Sequence, residues 1–124
     1  MTKPIRSYKD LIVYQKAYQL SLHIYRVTED FPKAEIYGLV SQMRRSATSI
    51  PANIAEGYRR GLRKEYIQFL RIAQGSCGEL ETFLSMSKDL GFVKVKDYEE
   101  LEKVHEEISR LLQALISSLT IKRI

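Results

Sequence analysis

Four stretches of this chain repeat apolar residues at alternating steps of three and four, and very little interrupts them. That spacing puts each set on one side of an α-helix, and the side must be hidden against another helix. The first stretch, about residues 7–30, carries two neighbouring lines. One is Leu11, Tyr14, Tyr18, Ser21 and Tyr25; the other is Val13, Ala17, Leu20, Ile24 and Val27. Together they predict one wide buried face. Ser7 with Asp10 three residues later has the pattern of a capping box, and Phe31-Pro32 ends the helix because a residue before proline avoids helical angles. The second stretch, about 34–58, repeats Leu39, Met43, Ala47, Ile50, Ile54 and Tyr58. Pro51 lies inside it, which predicts a kink or break near Ala47, with Ser46, Thr48 and Ser49 at hand to satisfy the freed backbone groups. The segment Gly57–Leu62 reads as the next weak point.

The third stretch, about 63–90, holds Tyr66, Phe69, Leu70, Ala73, Cys77, Leu80, Phe83 and Leu84, with Gly75 and Gly78 in mid-helix. Each glycine costs roughly 1 kcal/mol against alanine, so close helix–helix approach is expected there. Gly91 is placed to end this helix, and Phe92–Lys96 reads as an extended connector. The fourth stretch, about 98–120, starts at an Asp97/Glu100 capping pattern. It repeats Leu101, Val104, Ile108, Leu111, Leu115 and Ser118, widened by Leu112, Ile116 and Leu119. The expected fold is all-α: one domain, residues 1–124, an antiparallel up-and-down four-helix bundle whose second helix is kinked or broken near Pro51.

At 124 residues the chain is long enough to bury a core without disulfides, and its one cysteine, Cys77, cannot form an internal one. No apolar run approaches membrane-spanning length, and none follows the basic N-terminus. A reduced, cytoplasmic protein is expected, with no membrane partner, no cofactor and no small-molecule substrate. His23 and His105 have no nucleophile motif around them. The pair of Glu-x-x-His motifs that di-iron bundles need is missing, and so is any phosphate-binding glycine loop. Gly75-Ser76-Cys77-Gly78 matches the bare Gly-x-x-Gly of an RNA-binding loop, but it sits in a helical pattern without basic residues and reads as packing. No catalytic residue and no metal site are expected.

Charge is divided. The formal net charge is +5. Between residues 44 and 71 stand Arg44, Arg45, Arg59, Arg60, Arg63, Lys64 and Arg71 against only Glu56 and Glu65, whereas residues 79–107 are acid-rich. Such polarity suits a polyanion at the basic segment, or contact between copies of the chain. Arg59, Arg60, Arg63 and Lys64, flanked by Tyr58 and Tyr66, could grip phosphates and stack on bases; they could equally form a solvated turn with the tyrosines in the core. Gln42, Arg45, Ser49, Asn53, Glu56 and Arg60 make a polar line on the second helix. It is either a solvated face or a network that sets helix or subunit register, with Gln42, Ser49, Asn53 and Glu56 at a subunit interface. Glu56 could pair with Arg45, Arg59 or Arg60.

The stretch Gln42 to Gly57 carries a resemblance, with Tyr8–Leu11, Phe31-Pro32-Lys33, Tyr37-Gly38-Leu39, Lys64-Glu65-Tyr66 and Glu79–Thr82 around it. The chain resembles the four helix bundle proteins also called 23S rRNA-intervening-sequence or S23 ribosomal proteins. It is similar as well to the accessory variability determinant of diversity-generating retroelements. The resemblance covers about residues 7–119. It implies an antiparallel four-helix bundle, a homo-oligomer (a pentamer), association with RNA or single-stranded DNA, and no catalytic residues to carry over. One departure is Leu62, where relatives place a helix-capping serine. The function expected is a non-enzymatic, RNA-associated oligomeric bundle; the alternative is a protein–protein adaptor or structural oligomer without nucleic acid.

Overall fold

The computed structural model describes residues 4–121. Four helices run Ile12–Thr28 (α1), Leu39–Arg60 (α2), Arg63–Asp89 (α3) and Val95–Thr120 (α4), and short 3-10 turns at Tyr8–Asp10 and Lys33–Glu35 precede the first two. No strand occurs among the described residues. Neighbours around the bundle are α1–α2, α2–α3, α3–α4 and α4–α1, so α2 lies diagonally across from α4. Contacts give the directions. Along α2, Met43 meets Ser87, Ser49 meets Ser76, and Gly57 meets Phe69, so α2 and α3 run oppositely. Ser21 meets Ala47 while Thr28 meets Arg44, and Cys77 meets His105 while Gln74 meets Gln113, which reverses the other two consecutive pairs as well.

The core is a single cluster drawn from all four helices, with Leu20, Ile24, Met43, Ile50, Ile54, Leu70, Leu80, Leu84, Leu101, Ile108, Leu112 and Ile116 fully enclosed. Two stripes differ from expectation. On α1 only the Val13–Ala17–Leu20–Ile24 line is buried throughout; Tyr18 and Tyr25 on the other line are 47% and 42% exposed. On α4 the buried stripe is Leu101, His105, Ile108, Leu112 and Ile116, while Val104, Leu111 and Leu115 pack at its edge. A helix wedged between two neighbours buries roughly a third of its circumference, and side-chain volume selects which third.

Pro51 does not break α2, which is continuous from Leu39 to Arg60. Proline has no N–H, so the carbonyl four residues earlier, that of Ala47, loses its helical donor. Ser21 of α1 offers a donor in its place: the buried Ser21 hydroxyl lies 2.9 Å from the Ala47 carbonyl, nearer than the 3.1 Å to Ala17 O on its own helix. The nearby Ser46 and Thr48 hydroxyls bond instead to Met43 O and Arg44 O. Nor do Gly75 and Gly78 mark a close approach, since a Cβ at either would meet nothing within 4 Å. The tight crossing is at Gly57, which is buried inside α2 rather than at its end.

Helix ends follow backbone rules more than side-chain ones. Ser7 and Asp10 do form their capping box, but on the 3-10 turn, and α1 starts only at Ile12. The Asp97/Glu100 pattern caps nothing, because α4 begins two residues before Asp97, at Val95, and the connector is correspondingly shorter. Gly61 and Gly91, at φ +80 and +76, take the left-handed geometry that closes α2 and α3. Gly91 N–H donates to Lys88 O and Phe92 N–H to Ser87 O, the two bonds of a Schellman motif. Leu62 holds the extended angles of an N-cap without a side-chain hydrogen bond, and Glu65 stands three residues on. Leu62→Ser would complete a capping box with Glu65, so it is expected to stabilise the fold by about 1 kcal/mol, read as a higher urea midpoint at unchanged m-value.

Candidate nucleic-acid interface

The seven basic residues of segment 44–71 do not form one patch. Arg45 and Arg59 share the outward side of α2 but stand fourteen residues apart, roughly 21 Å along the axis. One group therefore lies at the α2–α3 turn (Arg59, Arg60, Arg63, Lys64), with Arg71 two helical turns further along α3 on the same outward side as Lys64. The other, Arg44 and Arg45, lies near the start of α2.

At the turn, Arg59, Arg63, Lys64 and Arg71 are exposed and make no ion pair among the described residues. Arg60 is engaged: its Nε lies 3.3 Å from Glu56, and its guanidinium sits 5.0 Å from the Phe69 ring centroid. Of its three candidate partners, then, Glu56 takes Arg60, one helical turn away. The flanking tyrosines face inward. Tyr58 and Tyr66 meet edge to face at 5.9 Å, and the Tyr66 hydroxyl is enclosed with no hydrogen-bond partner. Burial, with Tyr58 adding to it, pushes the Tyr66 phenol up to about 12. Tyr66 packs against the core, and the two partly buried tyrosines line a hollow of about 270 Å3 at the turn together with Arg63.

Arg44 is fastened to α1. Its Nε donates to Thr28 Oγ1 at 3.0 Å, its Nη2 to the Tyr25 carbonyl at 3.3 Å, and its guanidinium lies 4.5 Å from the Tyr25 ring centroid. Arg45 is exposed. On the polar line, Gln42 is exposed, while Asn53 donates to Ser49 O and Oγ, and the Ser76 hydroxyl bonds to Ser49 Oγ at 2.7 Å. Ser49 thus ties α2 to α3, and Asn53 holds Ser49 from within α2.

His105 is 4% exposed and donates from Nε2 to the Cys77 carbonyl at 2.7 Å, and its Nδ1 has no partner. Glu102, three residues earlier, has one enclosed oxygen without a partner. The two make one Glu-x-x-His spacing. No group of three His, Cys, Asp or Glu among the described residues could hold a metal. Burial pushes the Cys77 thiol up to about 11, a hydrogen bond with Ser109 working against it and Glu81 with it. Both raised groups favour the neutral form in the folded state. Their stabilisation is whole below pH 9 and is lost as pH rises through 11 for Cys77 and 12 for Tyr66. Cys77→Ala should remove about 1–2 kcal/mol of the pH 9–11 fall in stability. Tyr66→Phe should remove part of the further fall between pH 10 and 12. Urea titrations at stepped pH measure both.

The model of the 23S rRNA-intervening sequence proteins matches residues 9–114. The chain belongs to the 23S rRNA-intervening sequence protein family. Among solved structures it is similar to a protein of unknown function from the S23 ribosomal protein family of Bacteroides thetaiotaomicron VPI-5482. The two share 26% identity over 86% of this chain and 96% of that one, with a TM-score of 0.79. No curated protein matches. For this member of the intervening sequence family, no helix among the described residues is long and apolar enough to cross a membrane.

Proposed function

We propose that this protein is a non-enzymatic accessory protein that associates with RNA or single-stranded DNA through the basic turn between α2 and α3. The observation that carries the reading is the exposed, unpaired set Arg59, Arg63, Lys64 and Arg71 at one end of the bundle. Cations without protein partners are free to displace counterions from phosphates, the main source of affinity for nucleic acids. The family's tie to 23S rRNA genes points the same way. The test is titration of RNA at several salt concentrations with wild type and an Arg59→Glu/Arg63→Glu/Lys64→Glu variant. About four phosphate contacts on a single strand give a log–log salt slope near −3. The variant should lose binding by about 100-fold or more while its circular dichroism is unchanged. Equal binding by the variant refutes the reading. A cytoplasmic site suits the single buried cysteine.

Self-assembly is a second reading, favoured by the division of charge across the bundle. Helix α2 carries four arginines and one acid; α4, diagonal to it, carries six acids and three bases. Complementary faces on opposite sides of one chain suit a head-to-tail ring, of which a pentamer is one closure. Light scattering in low and high salt tests it: an assembly that loosens with salt supports charge-matched contacts. A stable assembly with no measurable RNA affinity would favour an adaptor or structural role.

A further inference from the structure

The outer seam between α1 and α2 holds a groove that the turn-based reading leaves unused. Two shallow hollows of about 310 and 390 Å3 lie along it, and a third of about 590 Å3, lined by α1 and Lys9 alone, adjoins them. The 590 Å3 hollow shares Tyr14 and Tyr18 with the 310 Å3 one, which shares Tyr25 and Thr48 with the 390 Å3 one, so the three stand in a row. The groove's walls differ. The α1 side presents tyrosines, with Tyr18 47% and Tyr25 42% exposed, and Tyr37 stands 94% exposed at the far end. The α2 side offers the small residues Thr48, Ala52 and Ala55. Lys9 lines one end and Arg44 and Arg45 the other, and no lining residue is acidic in a chain with 15 acidic residues.

We infer that this groove is a track for single-stranded nucleic acid, in which Tyr18, Tyr25 and Tyr37 stack on bases and Lys9, Arg44 and Arg45 meet the backbone. Flat rings in an acid-free, basic channel are what an unpaired strand needs: every base has a π-face, and phosphates follow the cations. The Arg44 guanidinium, held by bonds to Thr28 and the Tyr25 carbonyl, covers one face of the Tyr25 ring 4.5 Å from its centroid, and Tyr25 is still 42% exposed, so a cation and a ring stand together before any ligand arrives. A duplex hides its base faces and gains nothing from the tyrosines. The groove therefore supplies a preference for unpaired strands.

This inference rests on the nucleic-acid reading above, and its test separates the two. A fluorescent oligo(U) of about 12 nucleotides and a duplex of the same length are titrated by anisotropy against the full chain. Replacing Tyr18, Tyr25 and Tyr37 together by leucine should weaken oligo(U) binding by about 100-fold and leave duplex binding within about 3-fold. The corresponding triple phenylalanine variant, which keeps the rings, should bind oligo(U) within about 3-fold of wild type. All eight tyrosines and no tryptophan make intrinsic emission a direct readout, and oligo(U) should quench it in wild type but far less in the leucine variant. A leucine variant that binds oligo(U) like wild type overturns the groove, and if the turn reversal still abolishes binding, the turn reading stands alone. A leucine variant that loses self-association but keeps its RNA affinity overturns the groove as well, by assigning it to a second copy of the chain. Wild type that binds neither probe refutes both readings.

Discussion

Gly57→Leu is expected to destabilise the protein by about 3 kcal/mol or more, and Gly57→Ala by about 1–2 kcal/mol. A Cβ on Gly57 would lie 2.7 Å from Phe69 Cβ and 3.2 Å from the Tyr66 carbonyl oxygen. Those atoms belong to the α3 backbone or sit directly on it, so no rotamer change moves them aside. The helices must separate, and the Tyr58–Tyr66 packing beside them opens. Alanine recovers roughly 1 kcal/mol of helix propensity, which is why its net cost is smaller. The control is Gly75→Ala or Gly78→Ala, where nothing lies within 4 Å. Each should stabilise the chain by up to about 1 kcal/mol. Urea unfolding of the four variants checks the set, and a Gly57→Ala protein more stable than wild type would show that α2 and α3 are not held at this distance.

The second large effect is expected at Ser21, through a proline it never follows in sequence. Ser21→Ala leaves the Ala47 carbonyl without the donor that Pro51 cannot provide, and should cost about 1–3 kcal/mol. Pro51→Ala restores an N–H at the right place in the helix. In that background Ser21→Ala should cost only about 0.5 kcal/mol, so the cycle gives a coupling near 1–2 kcal/mol. If the two costs simply add, Ser21 supports packing alone and the carbonyl has another partner. The same pair explains how α2 tolerates a buried proline and still carries the exposed arginines at its far end on one unbroken rod.

Much of the candidate site was legible from residue types. Clustered arginines advertise a basic turn, and they offer Glu56 three partners, among which the structure selects Arg60, one helical turn away. Accessibility was not legible. Tyr66 flanks the basic cluster in sequence yet packs against the core, whereas Tyr18 and Tyr25 repeat at core-like spacing yet point out. Tyrosine carries an apolar body and a polar tip, so its spacing alone leaves both placements open. Its neighbours across the gap decide. Opposite Tyr18 and Tyr25 stand Thr48, Ala52 and Ala55, too small to cover the rings.

What the sequence by itself determined is therefore everything that depends on local geometry. Helical spacing specified four rods and most of the residues they bury, and Gly91 specified where α3 stops. What only the tertiary structure decided is whatever needs two helices at a known distance and rotation. It turned Gly57 from a weak point into the tightest contact, left Gly75 and Gly78 in open space, and brought Ser21 to the carbonyl that Pro51 left without a donor. Periodicity states which side of a helix is apolar; only the partner's side chains determine how much of that side is covered, and the uncovered remainder is where this protein has a surface to bind with.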